Sequence, residues 1–172
     1  MKFFSANLDS LKKLYIDQLQ QLHSAETQIT EALPKMIEKS HDPQLKQALD
    51  THLQETRGHV RRLEQILQTE MGKVESKKNK GIAALITEGE DVIKDATDDS
   101  VRDAGIIAAA QKVEHYEMAA YGTVRTFAEI LGGTDQANLL EKTLEEEKHA
   151  DSVLTQISDT ANTLAERIER AA

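Results

Sequence analysis

Four long stretches of this chain repeat apolar residues every three or four positions, and each carries an acidic residue near its middle. That period is the signature of one face of an α-helix. The first stretch reads Leu11, Tyr15, Leu19, Leu22, then Ile29, Leu33 and Met36, with Glu26 filling the gap. The second combines Leu45, Leu49, Leu53, Val60, Leu63, Ile66 and Leu67 with the series Ala48, His52, Glu55 and His59. The third runs Ile106, Ala110, Val113, Glu117, Ala120, Val124, and the fourth Leu139, Thr143, Glu146, Ala150, Val153, Ile157. Each spacing turns one glutamate toward the apolar side.

Local signals set the boundaries. Helix A is expected from about Ser5–Asp9 to Lys39, capped by Asp9 or Ser10, with Pro34 kinking it or ending it early. Asp42 as N-cap and Pro43 at the first helical position open helix B, which runs to about Met71. The short A–B turn makes A and B antiparallel. Residues 72–99 read as a long B–C crossover, with a polar hinge at Lys77–Gly81 and a short helix over Ile82–Ile93. Such a crossover carries the chain back to the other end when the second and third bundle helices are parallel. Helix C is expected from Asp98–Ser100 to Leu131, stopped by Gly132-Gly133. Helix D follows from about Asp135 to Asp159, and a weakly anchored helical tail from Thr160 to Ala172. The expected fold is all-α: one domain over 1–172, an antiparallel four-helix bundle of the ferritin-like kind with an extra helix in its crossover.

Composition narrows the chemistry. With 172 residues, 8 Gly, 2 Pro and no Trp, the chain suits long helices. Cysteine is absent, which removes disulfides, iron–sulfur clusters, thiolate zinc sites and Cys nucleophiles together. The net charge of −9 repels phosphate backbones and argues against nucleic acid as a partner. The N-terminal Met1-Lys2-Phe3-Phe4-Ser5 has no apolar signal region, and no run of 18 apolar residues occurs. Neither secretion nor membrane spanning is expected, and the cytoplasm is the expected location.

The two halves echo each other at an offset of 91 residues, which maps Glu26 onto Glu117, Glu55 onto Glu146 and His23 onto Glu114. Uncompensated carboxylates in one core would cost several kcal/mol each. Protons, hydrogen bonds or cations must compensate them. Two divalent ions carry the charge that offsets four glutamates, and oxygen-rich sites with imidazole suit iron or manganese, with zinc as a possible substitute. Such sites recur as one Glu from each of two helices plus Glu-x-x-His from each of the other two. Helix D supplies Glu146-Glu147-Lys148-His149. Helix B reads Glu55-Thr56-Arg57-Gly58-His59, one residue too long, and Gly58 could ease a π-bulge that restores the geometry.

The expected metal residues are therefore Glu26, Glu55, Glu117 and Glu146, with His59, His149 and Glu114 as ligands or as hydrogen-bond partners behind them. His52 is a weaker candidate, and His23 lies one turn from the acids. Any one of these alone reads as an ordinary solvated or ion-paired side chain. Tyr116 and Tyr121 flank Glu117 and read as packed tyrosines with satisfied hydroxyls. Asp151 reads as a rim ion-pair partner, and the remainder of Glu145–Glu147 as a solvated face.

The chain resembles the YciE/YciF family of ferritin-like bacterial stress proteins. The likeness runs from about Leu14 to Ile157, through Ser24-Ala25-Glu26, Ala32-Leu33-Pro34-Lys35, His52-Leu53-Gln54-Glu55-Thr56 with Gly58, and Val101-Arg102-Asp103-Ala104. Ala108-Ala109-Ala110 followed by Gln111-Lys112-Val113-Glu114-His115-Tyr116-Glu117 carries it most specifically. Ala120-Tyr121-Gly122-Thr123 and Thr143-Leu144-Glu145-Glu146-Glu147-Lys148 with Asp151 complete it. The resemblance implies a homodimer, a link to stress responses, and acids matching Glu26, Glu55, Glu114, Glu117 and Glu146 around a di-metal centre. It implies no defined reaction.

Three functions compete at this point: a di-iron or di-manganese protein that reacts with oxygen or peroxide, a metal-free structural or interaction bundle, and an iron-storage shell. Catalytic residues, and whether the chain is an enzyme, are not legible.

Overall fold

In the computed structural model, described for residues 7–169, helix-forming stripes become five α-helices: α1 (Leu11–Lys39), α2 (Pro43–Met71), α3 (Lys80–Asp95), α4 (Asp99–Ile130) and α5 (Thr134–Glu169). No strand occurs among the described residues. Of the expected A-helix start, Ser5 lies outside the described residues, as does the end of the expected tail, 170–172.

The caps follow local chemistry. Ser10 accepts from the Lys13 amide at the start of α1. Asp42 accepts from the amides of Gln44 and Leu45, with Pro43 next in line where a missing N–H costs nothing. Asp98 caps α4 through Ser100 and Val101, and Gly132, at φ 81°, takes the left-handed turn after it. Gly72 does the same after α2 at φ 71°.

Pro34 does not end α1, which runs on to Lys39. Only the Thr30 carbonyl loses its usual amide partner there. The π-bulge expected at Gly58 is likewise absent: α2 passes through as regular α-helix.

Helices α1 and α2 form one antiparallel hairpin and α4 and α5 another; α1 packs against α4 and α2 against α5. Helix α3 lies across α1 and α4 within the crossover. The expected polar hinge at residues 77–81 is instead fixed. Asn79 is 2% exposed; it caps α3 through Ile82, accepts from Tyr116 Oη at 3.1 Å, and binds Ser24, Gln21 and Gln28 through its remaining polar groups. Gly81 packs against the Tyr116 ring, so near that a Cβ would come within 2.8 Å of Cε2.

The buried seams follow steps of four and three. In α1 the seam is Tyr15, Leu19, Leu22, Glu26, Ile29, Leu33; in α2 it is Leu45, Leu49, His52, Thr56, His59, Leu63, Ile66. In α4 it is Asp103, Ile107, Ala110, Glu114, Glu117, Tyr121, Val124, Ala128, and in α5 Ala137, Leu140, Leu144, Glu147, Leu154. A sustained period of 3.5 is the pattern of helices wound around one another in a left-handed bundle. The apolar residues gather into two clusters: one around Ile29, Leu49 and Ile107, the other around Leu19, Leu63 and Val124. Between them, at the middle of every seam, the positions are polar.

Candidate metal centre

Six side chains fill that layer: Glu26 from α1, His52 and His59 from α2, Glu114 and Glu117 from α4, and Glu147 from α5, none more than 5% exposed. Their helices hold them by the seam spacing alone, since positions separated by three and four residues stack on one face. They form two groups whose facing atoms lie within 4.8 Å of one another. One is His52, Glu114, Glu117 and Glu147; the other is Glu26, His59 and Glu147. Glu147 belongs to both.

The contacts are close but few are hydrogen bonds. His52 Nε2 lies 3.3 Å from Glu114 Oε1, and His59 Nδ1 lies 3.4 Å from Glu26 Oε1 and 3.0 Å from Glu147 Oε1. Nine buried polar atoms of these six residues lack a hydrogen-bond partner, including both oxygens of Glu117 and of Glu147 and both ring nitrogens of His52. Native interiors leave few such atoms unpartnered, and each costs about 1–3 kcal/mol or more when charged. The layer has the donors that a transition-metal pair requires: hard carboxylate oxygens and imidazole nitrogens, no thiolate, and one carboxylate shared by two groups.

Protons can also compensate these charges, and the electrostatics show how. Burial opposes charge on His52 and His59, but Glu114, Glu55 and Glu147 together outweigh it at the first and Glu26 and Glu147 at the second, raising them to about 9 and about 11. Burial drives the carboxyls of Glu114 and Glu117 well above the ordinary range, and neighbouring acids add to it. Glu147 moves the other way: burial resists its charge, but His59 and His52 hold it ionised. Burial also raises Tyr121, whose hydroxyl donates to Glu26 Oε1.

Around the layer stands a supporting shell. Arg62 reaches Glu146 through both guanidinium ends, at 2.5 and 2.9 Å, and donates to Thr143 Oγ1 at 2.9 Å. Glu146 Oε2 in turn sits 3.0 Å from His59 Nε2. A carboxylate at Nε2 fixes the tautomer that leaves Nδ1 facing Glu26 and Glu147, an arrangement that orients imidazole ligands in metal sites. Burial acts against the Glu146 charge, but Arg62 overrides it and keeps the carboxyl below its usual range.

The structure brings together Glu26, Glu114, Glu117 and His59 from the residues the sequence singled out. It corrects the inward face of α5: Glu147, completely buried, occupies the place expected of Glu146, whose side chain is 23% exposed. It also corrects α2, where no acid is buried. The Glu55 side chain is 29% exposed and stands 3.8 Å from His52 Nδ1, while Thr56 takes the seam position and bonds the His52 carbonyl. His149 is exposed and lies outside both groups. Tyr116 and Tyr121 both have satisfied hydroxyls, and Asp151 meets His115 at 3.3 Å at the rim. His23 faces Ser76 and Glu64 rather than the layer. Two members escaped the sequence reading, His52 as a leading candidate and Glu147 altogether. Strict alternation of four and three, 52-56-59 in α2 and 140-144-147 in α5, selects both.

Comparison with known proteins agrees with this architecture. The profile of the family described as "Domain of unknown function (DUF892)" matches residues 10–167. Protein YciF of Escherichia coli is 42% identical over 153 residues, 88% of this chain and 92% of that protein. The crystal structure of the E. coli stress protein YciF superposes with a TM-score of 0.86 at 41% identity, covering 90% of this chain and 98% of that one. YcfI from Rhodopseudomonas palustris, described as a candidate structural protein, gives 0.85 at 40% identity, covering 89% and 98%. A protein from Xanthomonas campestris shares the fold at 18% identity, with a TM-score of 0.74 over 93% of this chain and 98% of that one. No described helix is long and apolar enough to cross a membrane.

Proposed function

From the premise that this chain belongs to the DUF892 family, with YciF among its relatives, we propose that it holds two divalent transition-metal ions in its core layer and takes part in a bacterial stress response. Iron and manganese fit the donor set best, and zinc could replace them. The single observation that carries the reading is the set of nine buried, unpartnered polar atoms on six converging side chains. In this reading His52, Glu114 and Glu117 hold one ion, Glu26 and His59 the other, and Glu147 serves both. Redox-active ions there would supply electrons to a small oxidant such as dioxygen or hydrogen peroxide.

The protein's own part is positional. Arg62 and Glu146 orient His59, and the Tyr121 hydroxyl holds Glu26. The apolar clusters flank the layer on either side and limit its contact with water. The molecule works in the cytoplasm as a homodimer in this proposal, with the stress link resting on the description of YciF.

Metal analysis of protein purified without chelator, followed by anaerobic reconstitution, tests the reading. We expect about two ions of iron or manganese per chain; absence of stoichiometric metal after both steps would sink it. A second reading draws on the His59–Glu147 and His52–Glu114 contacts, which let protons compensate the layer: a metal-free structural bundle, in keeping with the description of YcfI. Replacing Glu117 with Leu separates the two, since a metal protein loses ions and a metal-free bundle only gains stability.

A further inference from the structure

Helices α2 and α5 part at the end of the bundle nearest the α1–α2 turn, leaving a cleft of ≈ 610 Å³. That volume lies within the range of small-molecule sites. Ala48 and Leu49 form one wall, Val153 and Leu154 the other. Gln44, Gln47 and Gln156 at the rim are exposed and uncharged. The cleft ends on His52 and Glu114, 5% and 2% exposed, whose Nδ1, Nε2 and Oε2 atoms have no hydrogen-bond partner. On the far side of this pair lies only a narrow space of ≈ 40 Å³ beneath α3, room for little more than a water. Anything larger must come between α2 and α5.

We propose that this cleft binds a small uncharged molecule with an apolar body and a terminal hydroxyl, which it presents to His52 and Glu114. The aliphatic walls offer dispersion contacts, and Glu55, beside His52, is the acid among them. At the inner end the unpartnered atoms need a group that both donates and accepts, and a hydroxyl does both: it donates to Glu114 Oε2 and accepts from the His52 ring. A carboxylate head would meet Glu55 and Glu114 together. An ammonium head can donate to Glu55 and Glu114 but, unlike a hydroxyl, cannot accept from the His52 ring. That the molecule is a substrate rests on the metal-centre reading, in which His52 and Glu114 each give one atom to an ion; its binding to the metal-free protein does not.

The test is a titration of metal-free protein, with labelled histidine and alanine, by 1-octanol, octanoate and octylammonium, followed by NMR. Saturable shifts of the His52 ring and of Ala48 and Ala150 with octanol are expected, with at least tenfold weaker response to the two ions. Ala150→Phe, which fills the cleft from the α5 wall, should weaken octanol binding at least tenfold; Ala48→Phe fills it from α2 should the first variant not fold. Glu114→Leu should remove the preference for octanol over octane. Unsaturable shifts, equal binding by the filled variants, tighter binding of either ion, or a second copy of the chain shielding Gln47 from a soluble paramagnetic agent would overturn the proposal. Because no metal is present, a negative metal analysis leaves this titration decisive, and a failed titration leaves the metal stoichiometry untouched.

Discussion

The two helical hairpins resemble each other in framework but supply different chemistry to the layer they share. From α1 and α2 come one carboxylate and two imidazoles, Glu26, His52 and His59; from α4 and α5 come three carboxylates, Glu114, Glu117 and Glu147. The echo at an offset of 91 residues holds where framework matters: Glu26 faces Glu117, and Glu55 and Glu146 both stand at the rim. It fails at the seam, where Thr56 answers to Glu147 and His52 to Thr143. The difference teaches why the layer tolerates its acids. One half brings the protonatable bases that hold the other half's carboxylates, whether protons or metals finally occupy the space.

The largest effect should break the comparison outright. Glu147 is the only residue common to both groups, so Glu147→Gln should lower metal content from two ions per chain to below one. Glu146→Gln, which removes only an orienting contact, should retain both ions with affinity reduced by about 10–100-fold. Elemental analysis with competition titration reads both, and the reverse order would return the ligand role to Glu146.

Opposite signs are expected from the two halves in metal-free protein. His59→Leu leaves Glu26 and Glu147 buried without their partner and should destabilise by about 3–5 kcal/mol. Glu117→Leu removes two unpartnered oxygens and should stabilise by about 1–3 kcal/mol. Urea unfolding monitored by circular dichroism decides; a shared sign would end the division of labour.

The pH dependence sharpens it further. His52 and His59 are raised in the folded state, so their contribution is fully present below their ordinary value near 6.5. It is lost as pH rises through about 9 and then about 11. Glu114 and Glu117, raised by burial, act in the same direction. Glu147, lowered, contributes above its ordinary value and loses that contribution in acid. Metal-free protein should therefore unfold at lower urea at pH 10 than at pH 7, and metal binding at pH 7 should release protons. A flat urea midpoint between pH 7 and 10 would show that these groups are not ionised as their contacts require.

The smallest effect should come from Arg62→Lys. Lysine keeps the positive charge beside Glu146, so stability should change by less than about 1 kcal/mol. The loss of bidentate geometry should show instead as weaker metal binding.

Much of this was legible without coordinates. The stripes through Leu19, Leu63 and Val124, the Asp42-Pro43 start and the Gly132 stop are local signals, and local chemistry alone fixes helices and turns. The meeting of Glu26 with Glu117 across α1 and α4 also followed, because a polar residue in mid-stripe has nowhere else to go. What the chain by itself left open was which of two adjacent faces each helix turns inward. On α5 the Leu139–Glu146–Val153 stripe and the Leu140–Leu144–Glu147 stripe are both apolar, one residue apart, and only packing against α4 and α2 chooses between them. A rotation of about 100° per residue makes that choice decide which carboxylate is buried. Helices are a property of neighbouring residues; the centre they enclose is set by how four of them turn against one another.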